Sequence, residues 1–175
     1  MRLVPLLETE RLRLRGPDIA DMPAVIAYWA TDRSVYEGGP RNPNGAYEDY
    51  TSSFACWLVR GYGCWALEER VSGSFLGIAG VFHPNWVIEP DLGWTLLAEA
   101  EGKGYAHEAA LAARDWVYRN TEIASLTSNI NRENARSIRL AARLGATPDE
   151  DAPDADDETI IYRHISQADY LKGAA

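Results

Sequence analysis

The sequence contains few of the residues that build disulfide-rich or nucleic-acid-binding proteins. Only two of its 175 residues are cysteine, and Cys56 and Cys64 both lie in apolar surroundings, which indicates packing or free thiols rather than a disulfide framework. Lysine and arginine number 17 against 26 aspartates and glutamates. The resulting net charge of −9 argues against nucleic-acid binding, which needs clustered cations, and favours a cationic or amine-bearing partner.

Long apolar runs are also missing. A membrane span needs about 20 consecutive apolar residues, and no segment approaches that length. The N-terminus reaches Glu8 and Glu10 before a signal peptide's apolar run is possible. We therefore expect a cytoplasmic protein with no membrane contact. A chain of this length buries one sizeable core, so residues 1–175 are expected to form a single domain.

Hydrophobic periodicity predicts alternating strands and helices along the chain. Strands are predicted at residues 7–15, 64–69, 74–82, 91–97, 124–130 and 159–165. Helices are predicted at residues 18–30, 46–59, 105–119 and 134–144, with Asp18 capping the first of them. The order predicts an α/β or α+β fold with three layers.

A glycine-rich turn, Gly102-Lys103-Gly104, follows the fourth predicted strand and opens a helix. Backbone N–H groups at a helix start lack intrahelical partners, and the helix dipole adds positive charge, so such a turn can bind phosphate. Glycine permits close backbone approach or a positive φ. A Walker loop would need Ser or Thr after Lys103, and a dinucleotide fingerprint would need glycine in place of His107, so neither motif fits.

Several motifs, taken in order, resemble those of the GNAT acetyltransferases. They are Asp91-Leu92-Gly93-Trp94, the segment from Glu101 to Ala109, Asn134-Ala135-Arg136-Ser137 and Arg143-Leu144-Gly145. The opening segment 9–15 is similar to the first strand of the branch that acetylates the N-termini of ribosomal proteins. The resemblance spans residues 7–165 and implies a mixed, mostly antiparallel sheet of six to seven strands. This sheet would splay between its fourth and fifth strands and be flanked by about four helices.

The resemblance also implies a co-substrate, acetyl-CoA, in the opening of the sheet. The histidines show no metal-ligand spacing, so no metal is expected. The pyrophosphate of acetyl-CoA would lie on the backbone amides of Gly102, Lys103, Gly104, Tyr105 and Ala106. Its pantetheine arm would pair with the strand edge formed by Trp94, Thr95 and Leu96. Asn134 would form a hydrogen bond with this arm. The implied reaction is direct attack of a primary amine on the thioester in a ternary complex.

Two residues are candidates for proton transfer. Asp91 stands where some family members keep a catalytic glutamate, and it either takes the proton of the amine or merely orients the acceptor; Glu89 and Glu158 are alternative bases. Ser137 matches the proton donor of the ribosomal-protein branch, or is only a polar residue in the first turn of a helix. The lone histidines His83 and His164 are expected to serve packing or hydrogen bonding.

The chain departs from the family pattern at two positions. Glu101 opens the glycine turn where glutamine or arginine is usual, which places a carboxylate near the expected phosphates. Ala141 replaces the tyrosine that protonates the leaving thiolate in many members. Both departures favour an alternative function, a degenerate domain that binds acyl-CoA as a sensor. A second alternative is a structural or nucleotide-binding protein that shares only the glycine turn.

The acceptor pocket is expected to lie among the first two helices and the last strands. Its candidate walls are the aromatic residues Trp29, Tyr36, Trp57 and Trp86, for which a place in the core is the alternative. The acidic run 149–158 is either a solvated loop or a rim that attracts a basic acceptor. A protein N-terminus, an amino acid, a polyamine and an amine-bearing antibiotic all remain possible acceptors, and the protein is expected to be a monomer or a homodimer.

Overall fold

The computed structural model describes residues 3–153 and 155–173, in which one eight-stranded sheet is flanked by helices. The strands are β1 (Leu7–Glu8), β2 (Leu12–Arg15), β3 (Cys64–Glu69), β4 (Phe75–Phe82), β5 (Asp91–Leu96), β6 (Thr127–Asn131), β7 (Thr147–Pro148) and β8 (Thr159–Arg163). The helices are α1 (Met22–Trp29), α2 (Pro43–Arg60), α3 (Tyr105–Asn120), α4 (Ala135–Arg143) and α5 (Gln167–Gly173).

The sheet is mixed and mostly antiparallel, with the strand order β1-β2-β3-β4-β5-β6-β8-β7. Neighbouring strands are antiparallel except for β5 and β6, which run parallel. Within the described residues, the only registered pair between β5 and β6 joins Asp91 to Thr127. The two strands then diverge. This confirms the expected opening, because β5 and β6 are the fourth and fifth strands counted from the sequence.

Side chains replace ladder hydrogen bonds where the two strands separate. The Asp91 carboxylate accepts a hydrogen bond from the backbone N–H of Asn129 at 3.0 Å, and the Ser128 hydroxyl donates to the Leu92 carbonyl at 2.6 Å. Buried backbone groups need such partners when a sheet opens. These two contacts therefore hold the base of the opening.

Three tryptophans from different elements form the centre of the core. Trp57 on α2, Trp65 on β3 and Trp116 on α3 stack edge to face with ring centroids 4.7 to 5.5 Å apart. Trp57 and Trp65 are buried, and the Trp57 indole N–H donates to the Cys64 carbonyl at 2.7 Å. Trp57 is therefore a core residue, which confirms the alternative left open for it, and it is not a wall of the acceptor pocket.

Several predicted element boundaries are also wrong. The strand predicted at 7–15 is a hairpin of β1 and β2, because the Thr9 backbone N–H donates to the Leu12 carbonyl and turns the chain. Helix α2 begins at Pro43 rather than residue 46, since the Asn42 side chain caps it. The sheet has eight strands instead of six or seven because the two-residue strands β1 and β7 carry too short a pattern to detect.

The helical segments differ from the sequence predictions as well. The part of the chain that the structure describes contains five α-helices rather than four, since α5 follows the last strand. Asp18 does cap a helix, but the segment it caps is a 3₁₀ turn, Ile19–Asp21, that leads into α1. A second 3₁₀ segment, Asp32–Glu37, connects α1 to α2 and was not predicted. Cys56 and Cys64 are buried free thiols, as expected.

Candidate active site

A groove of about 420 Å³ lies at the opening of the sheet, beside the glycine turn; we call it the glycine-turn groove. Eight of the predicted site residues line it together, namely Trp94, Thr95, Leu96, Gly102, Gly104, Ala106, Asn134 and Ser137. Lys103 and Tyr105 belong to the same turn without lining the groove: Lys103 is exposed, and the buried Tyr105 donates its hydroxyl to Glu69. His107 lines the groove as well.

The glycine turn has the backbone geometry that requires glycine. Gly102 and Gly104 have φ values of +73° and +83°, in the left-handed region that side chains with a Cβ disfavour. Gly104 is the N-cap of α3, so the unpaired amides and the positive end of the helix dipole lie at the groove. A Cβ at Gly102 would meet no protein atom within 4 Å, which leaves that space open to a ligand.

Arg11 fixes the orientation of this turn. Its guanidinium donates to the Lys103 carbonyl at 2.7 Å, pairs with Glu108 at 2.7 Å and lies over the Tyr105 ring. The C=O and N–H of a planar trans peptide point in opposite directions. The contact with the Lys103 carbonyl therefore keeps the N–H of Gly104 on the side away from Arg11.

The groove is rich in arginine although the whole chain is acidic. Its walls carry Arg33, which precedes α2, and Arg136, Arg139 and Arg143 on α4. Arg139 and Arg143 make no side-chain hydrogen bond or ion pair within the described part of the chain. Concentrated positive charge in a chain of net charge −9 is the electrostatic environment that a phosphate-bearing ligand needs.

Glu101, the unusual residue at the start of the glycine turn, is neutralised by two of these arginines. Its carboxylate pairs with Arg33 and with Arg136, the latter at 2.6 Å. The two partners come from different parts of the chain, so Glu101 links the glycine turn to α4 and to the segment after α1. The carboxylate is therefore balanced by two cations beside the groove.

A second cavity of about 470 Å³ adjoins the groove; we call it the aromatic cavity. Its aromatic walls are Trp29, Tyr36, Phe82, Trp86 and Trp94. Three of these had been expected around an acceptor, and the structure brings Trp29, Tyr36 and Trp86 together here. The cavity also contains the carboxylates of Glu37, Asp49 and Asp91, of which Asp49 pairs with Arg41 at 2.5 Å.

The acidic run 149–158 is divided between structural contacts and the surface. Asp149 pairs with Arg163 at 2.6 Å, and Glu150 pairs with Arg132 at 2.7 Å. Glu158 lines a surface depression together with Tyr36 and Trp86, two residues that also line the aromatic cavity. Asp154 lies outside the described residues. The run is therefore only partly a solvated loop.

The two cavities share a wall that contains both residues of the Asn-x-x-Ser motif. Asn134 and Ser137 line both cavities, and the Asn134 side-chain oxygen accepts from the Ser137 backbone N–H at 3.2 Å, which caps α4. The indole N–H of Trp94 donates to the Ser137 hydroxyl at 3.3 Å. The motif thus joins α4 to β5 across the opening of the sheet.

Glu89, one of the alternative bases, and the histidines His83 and His164 are engaged in contacts away from the glycine turn. Glu89 forms a two-pronged ion pair with Arg163 at 2.8 and 2.9 Å, and this hydrogen bonding holds the pKa of Glu89 below its ordinary value. His164 contacts Ser128 at 2.9 Å, and burial lowers the pKa of His164 to about 4, so this ring is neutral near pH 7. His83 stacks on Tyr62 and contacts its hydroxyl at 2.6 Å. The packing and hydrogen-bonding roles expected of both histidines are confirmed.

Sequence reasoning missed several residues at these cavities. The spacing of Arg136, Arg139 and Arg143 places them on one face of α4, and this signal was available. By contrast, Glu37 and Arg33 lie in a short segment with no periodic pattern, and only the fold brings them to the groove.

Among residues 3–153 and 155–173, no three His, Cys, Asp or Glu side chains are grouped to hold a metal ion. No helix in those ranges is both long and apolar enough to cross a membrane.

A groove with a glycine turn and four arginines that shares a wall with a second cavity suits a group transferase, which must hold donor and acceptor next to each other. The family described as the acetyltransferase (GNAT) domain matches residues 11–147. The match covers more than half of the sequence, and the chain therefore belongs to the GNAT acetyltransferase family.

The chain is also similar to several known proteins. An acetyltransferase of Agrobacterium tumefaciens has a solved structure that is 36% identical, with a TM-score of 0.88, and the match covers 93% of this chain and 95% of that one. The uncharacterized protein YkkB of Bacillus subtilis is 29% identical over 150 residues, which cover 79% of this chain and 83% of YkkB. RimL, a ribosomal L7/L12 α-N-protein acetyltransferase solved with coenzyme A, shares the fold at 16% identity and a TM-score of 0.69, over 94% and 99% of the two chains.

Proposed function

We propose that the protein is an acetyl-CoA-dependent N-acetyltransferase that transfers an acetyl group to a primary amine by direct attack within a ternary complex. The observation that carries this proposal is the wall shared by the glycine-turn groove and the aromatic cavity. A donor in the groove and an acceptor in the cavity would meet at that wall. Holding two reactants in this way converts a bimolecular reaction into an effectively unimolecular one.

The donor half of the site suits the phosphates of acetyl-CoA. The amides of Gly102, Lys103, Gly104, Tyr105 and Ala106 would receive the pyrophosphate at the start of α3. The arginines on α4 supply further positive charge along the same groove. Support comes from the open space at Gly102 and from the positive φ of both turn glycines.

The pantetheine arm would extend along β5 toward the shared wall. Beyond Asp91 this strand pairs with β4 on one side, while its other side faces the opening of the sheet. We assign the arm to the edge formed by Trp94, Thr95 and Leu96. Asn134 would donate its amide N–H groups to the arm, since its side-chain oxygen already caps α4. Backbone N–H groups of the same edge would polarise the thioester carbonyl.

Ser137 is the proposed proton donor to the leaving thiolate. A hydroxyl has one donor hydrogen and two acceptor lone pairs. Because the Trp94 indole occupies one lone pair, the hydrogen of Ser137 can be directed toward a ligand in either cavity. The tyrosine used by many relatives would stand at Ala141, which is completely buried in the interior of α4.

For Asp91, the contacts favour an orienting role. Its carboxylate accepts the Asn129 N–H and holds the base of the opening, while another side of it faces the aromatic cavity. A negative charge at this position would help to retain a cationic acceptor.

The acceptor itself would be a small primary amine, because a cavity of this size with aromatic walls and three carboxylates suits a metabolite-sized cation. We place the chain near the ribosomal-protein branch, as a cytoplasmic monomer or homodimer.

The experiment that tests this function combines titration and turnover. Isothermal titration with acetyl-CoA, with ATP and NAD as comparison ligands, measures donor binding by the folded protein. Thiol release is then followed with a panel of peptide N-termini, amino acids, polyamines and amine-bearing antibiotics. We expect selective acetyl-CoA binding and thiol release with at least one amine. Binding without release from any amine would favour the sensor that Ala141 suggests, and equal binding of ATP would favour a nucleotide-binding protein.

Replacing Arg11 tests how the glycine turn is held. We expect Arg11→Ala to weaken acetyl-CoA binding about tenfold, about 1.4 kcal/mol, because the Lys103 carbonyl loses the donor that orients the next peptide. The matched control is Arg13→Ala, since Arg13 is two residues away, equally exposed, and pairs with Glu8 and Glu68 instead. Titration of both variants measures the effect. Equal affinities in the two variants would contradict the assignment.

A further inference from the structure

Six residues line both cavities and therefore surround the place where donor and acceptor would meet. They are Tyr36, Glu37, Trp94, Thr95, Asn134 and Ser137. Glu37 is the one carboxylate of this group. Its position was not apparent from the sequence, because it ends a 3₁₀ segment between two helices.

The Glu37 carboxylate is held in place by two hydroxyl groups from different elements. The Tyr28 hydroxyl on α1 donates to Oε1 at 2.5 Å, and the Thr95 hydroxyl on β5 donates to Oε2 at 2.6 Å. Thr95 lies on the strand edge assigned to the pantetheine arm, so Glu37 is tied to the donor side of the site. A carboxylate has about four lone-pair positions, and two hydroxyl donors leave capacity for a ligand's N–H groups.

The charged neighbours of Glu37 have opposing effects on its pKa. Asp49 on α2 raises its pKa and Arg136 on α4 lowers it, while Arg33 and Glu101 act on the adjacent Tyr28. Glu37 as a whole residue is exposed, and its carboxylate is hydrogen-bonded to Tyr28 and Thr95. Burial of the carboxylate raises the pKa of Glu37 above its ordinary value, against the opposing effect of the two hydroxyls. A carboxylate of raised pKa is a better base near neutral pH.

We propose that Glu37 is the catalytic base, and that it receives one proton from the ammonium group of the acceptor bound in the aromatic cavity. This inference rests on the proposed acetyl transfer. The neutral amine then attacks the thioester carbonyl carbon, so that a C–N bond forms and the C–S bond breaks. A second N–H proton leaves the nitrogen and ends on the coenzyme thiolate. The proton on Glu37 passes to solvent, and each turnover releases one proton.

Glu37 is better placed for this step than the other carboxylates. Asp91 lines the aromatic cavity but not the glycine-turn groove, and its carboxylate accepts a hydrogen bond from the Asn129 N–H. Asp49 also lies outside the glycine-turn groove and pairs with Arg41. Of these three carboxylate residues, Glu37 is the one that lines both the glycine-turn groove and the aromatic cavity.

The test is Glu37→Gln, which keeps the size of the side chain and one acceptor oxygen. With an amine that the wild type acetylates, we expect kcat/KM at pH 7 to fall about 100-fold or more while acetyl-CoA affinity stays within about twofold. In the variant, the rate should rise about tenfold per pH unit, because only amine already deprotonated in solution reacts. Glu48→Gln is the matched control, since Glu48 is an exposed carboxylate of α2 outside both cavities. Asp91→Asn, measured alongside, should lose less activity than Glu37→Gln.

The possible outcomes separate this inference from the proposed function. A wild type that transfers acetyl, together with a Glu37→Gln variant of similar kcat/KM, overturns the role of Glu37 and leaves the function intact. A larger loss in Asp91→Asn than in Glu37→Gln also overturns it, and assigns the base to Asp91. A wild type that binds acetyl-CoA but acetylates no amine overturns both.

A second variant keeps the inference testable if Glu37→Gln does not fold. Tyr28→Phe removes a hydroxyl that stabilises the charged form of Glu37. We therefore expect the acidic limb of the kcat/KM profile to move to higher pH by about half a unit or more. An acidic limb that stays in place would show that the titrating group is not Glu37.

Discussion

A Gly102→Glu variant is expected to lose acetyl-CoA binding, with an affinity about 100-fold or more below that of the wild type. The substituted side chain would extend into the open space beside the turn, where the pyrophosphate is proposed to lie. Two like charges about 4 Å apart near a protein surface repel by about 4 kcal/mol. This exceeds the roughly 2.7 kcal/mol that a 100-fold loss requires. Isothermal titration measures the change.

The chain offers a matched control for this variant. Gly73, in the turn between β3 and β4, has a φ of +72° against +73° for Gly102, and a Cβ at either position meets no atom within 4 Å. Gly73→Glu therefore introduces the same charge and the same backbone strain, of order 1–3 kcal/mol, away from the groove. We expect both variants to lose similar stability and only Gly102→Glu to lose binding. Equal binding by the two would place the donor elsewhere.

The second large effect is expected for Asp21→Ala, which should destabilise the fold by about 3 kcal/mol. Asp21 is 3% exposed, and its carboxylate accepts from Nη2 and Nη1 of Arg15 at 2.7 and 2.9 Å and from the Tyr50 hydroxyl at 2.5 Å. These bonds join β2, α2 and the turn before α1. Removing the Asp21 carboxylate leaves the partly buried Arg15 guanidinium without one of its two carboxylate partners. Glu68 still pairs with Arg15 and limits the loss of stability.

Urea unfolding at pH 7 measures this loss, with Asp169→Ala as the control. Asp169 pairs with Lys172 on the surface of α5, and its side chain is 62% exposed. Exposed ion pairs contribute about 0–1 kcal/mol, so the control should remain near wild-type stability. A similar loss in both variants would mean that the buried network around Asp21 contributes no more than a surface pair.

The stability gap between wild type and Asp21→Ala should also depend on pH. Burial acts to raise the pKa of Asp21, but hydrogen bonds from Arg15 and Tyr50 outweigh it and the pKa is lowered. A carboxyl with a lowered folded-state pKa stabilises the protein fully above its ordinary pKa of about 4. That stabilisation is lost as the pH falls through the folded-state value. We therefore expect a constant gap from pH 5 to 7 that narrows below about pH 4.

The sequence was most informative where function depends on the backbone itself. Gly102 and Gly104 could be identified because a left-handed turn at a helix start leaves glycine as the favoured residue. The Asn134 and Ser137 pair was found by its motif spacing, which places Asn134 at the N-cap and Ser137 in the first turn of α4. Local hydrogen bonding fixes such features, so they can be recognised without knowledge of the rest of the fold.

Boundaries and short elements were less accessible. The hairpin of β1 and β2 depends on a single turn at Thr9, and β7 contains two residues, too few for a period-two pattern. The sequence left Trp57 either in the core or in a pocket, because an aromatic stripe has the same pattern in both. Only its packing against Trp65 and Trp116 distinguishes the two cases.

By itself, the sequence predicted an α/β or α+β fold class and a glycine turn at the start of a helix, and its resemblance to the GNAT acetyltransferases implied the opening between the fourth and fifth predicted strands. These predictions rest on local periodicity, glycine positions and motif order, which can be recognised without knowledge of the tertiary structure. The tertiary structure alone decided which side chains meet at the shared wall. Glu37 and Thr95 are 58 residues apart in the chain, yet their side chains are 2.6 Å apart. A contact of this kind depends on how α1, α2 and the sheet pack together, and no local pattern encodes that arrangement.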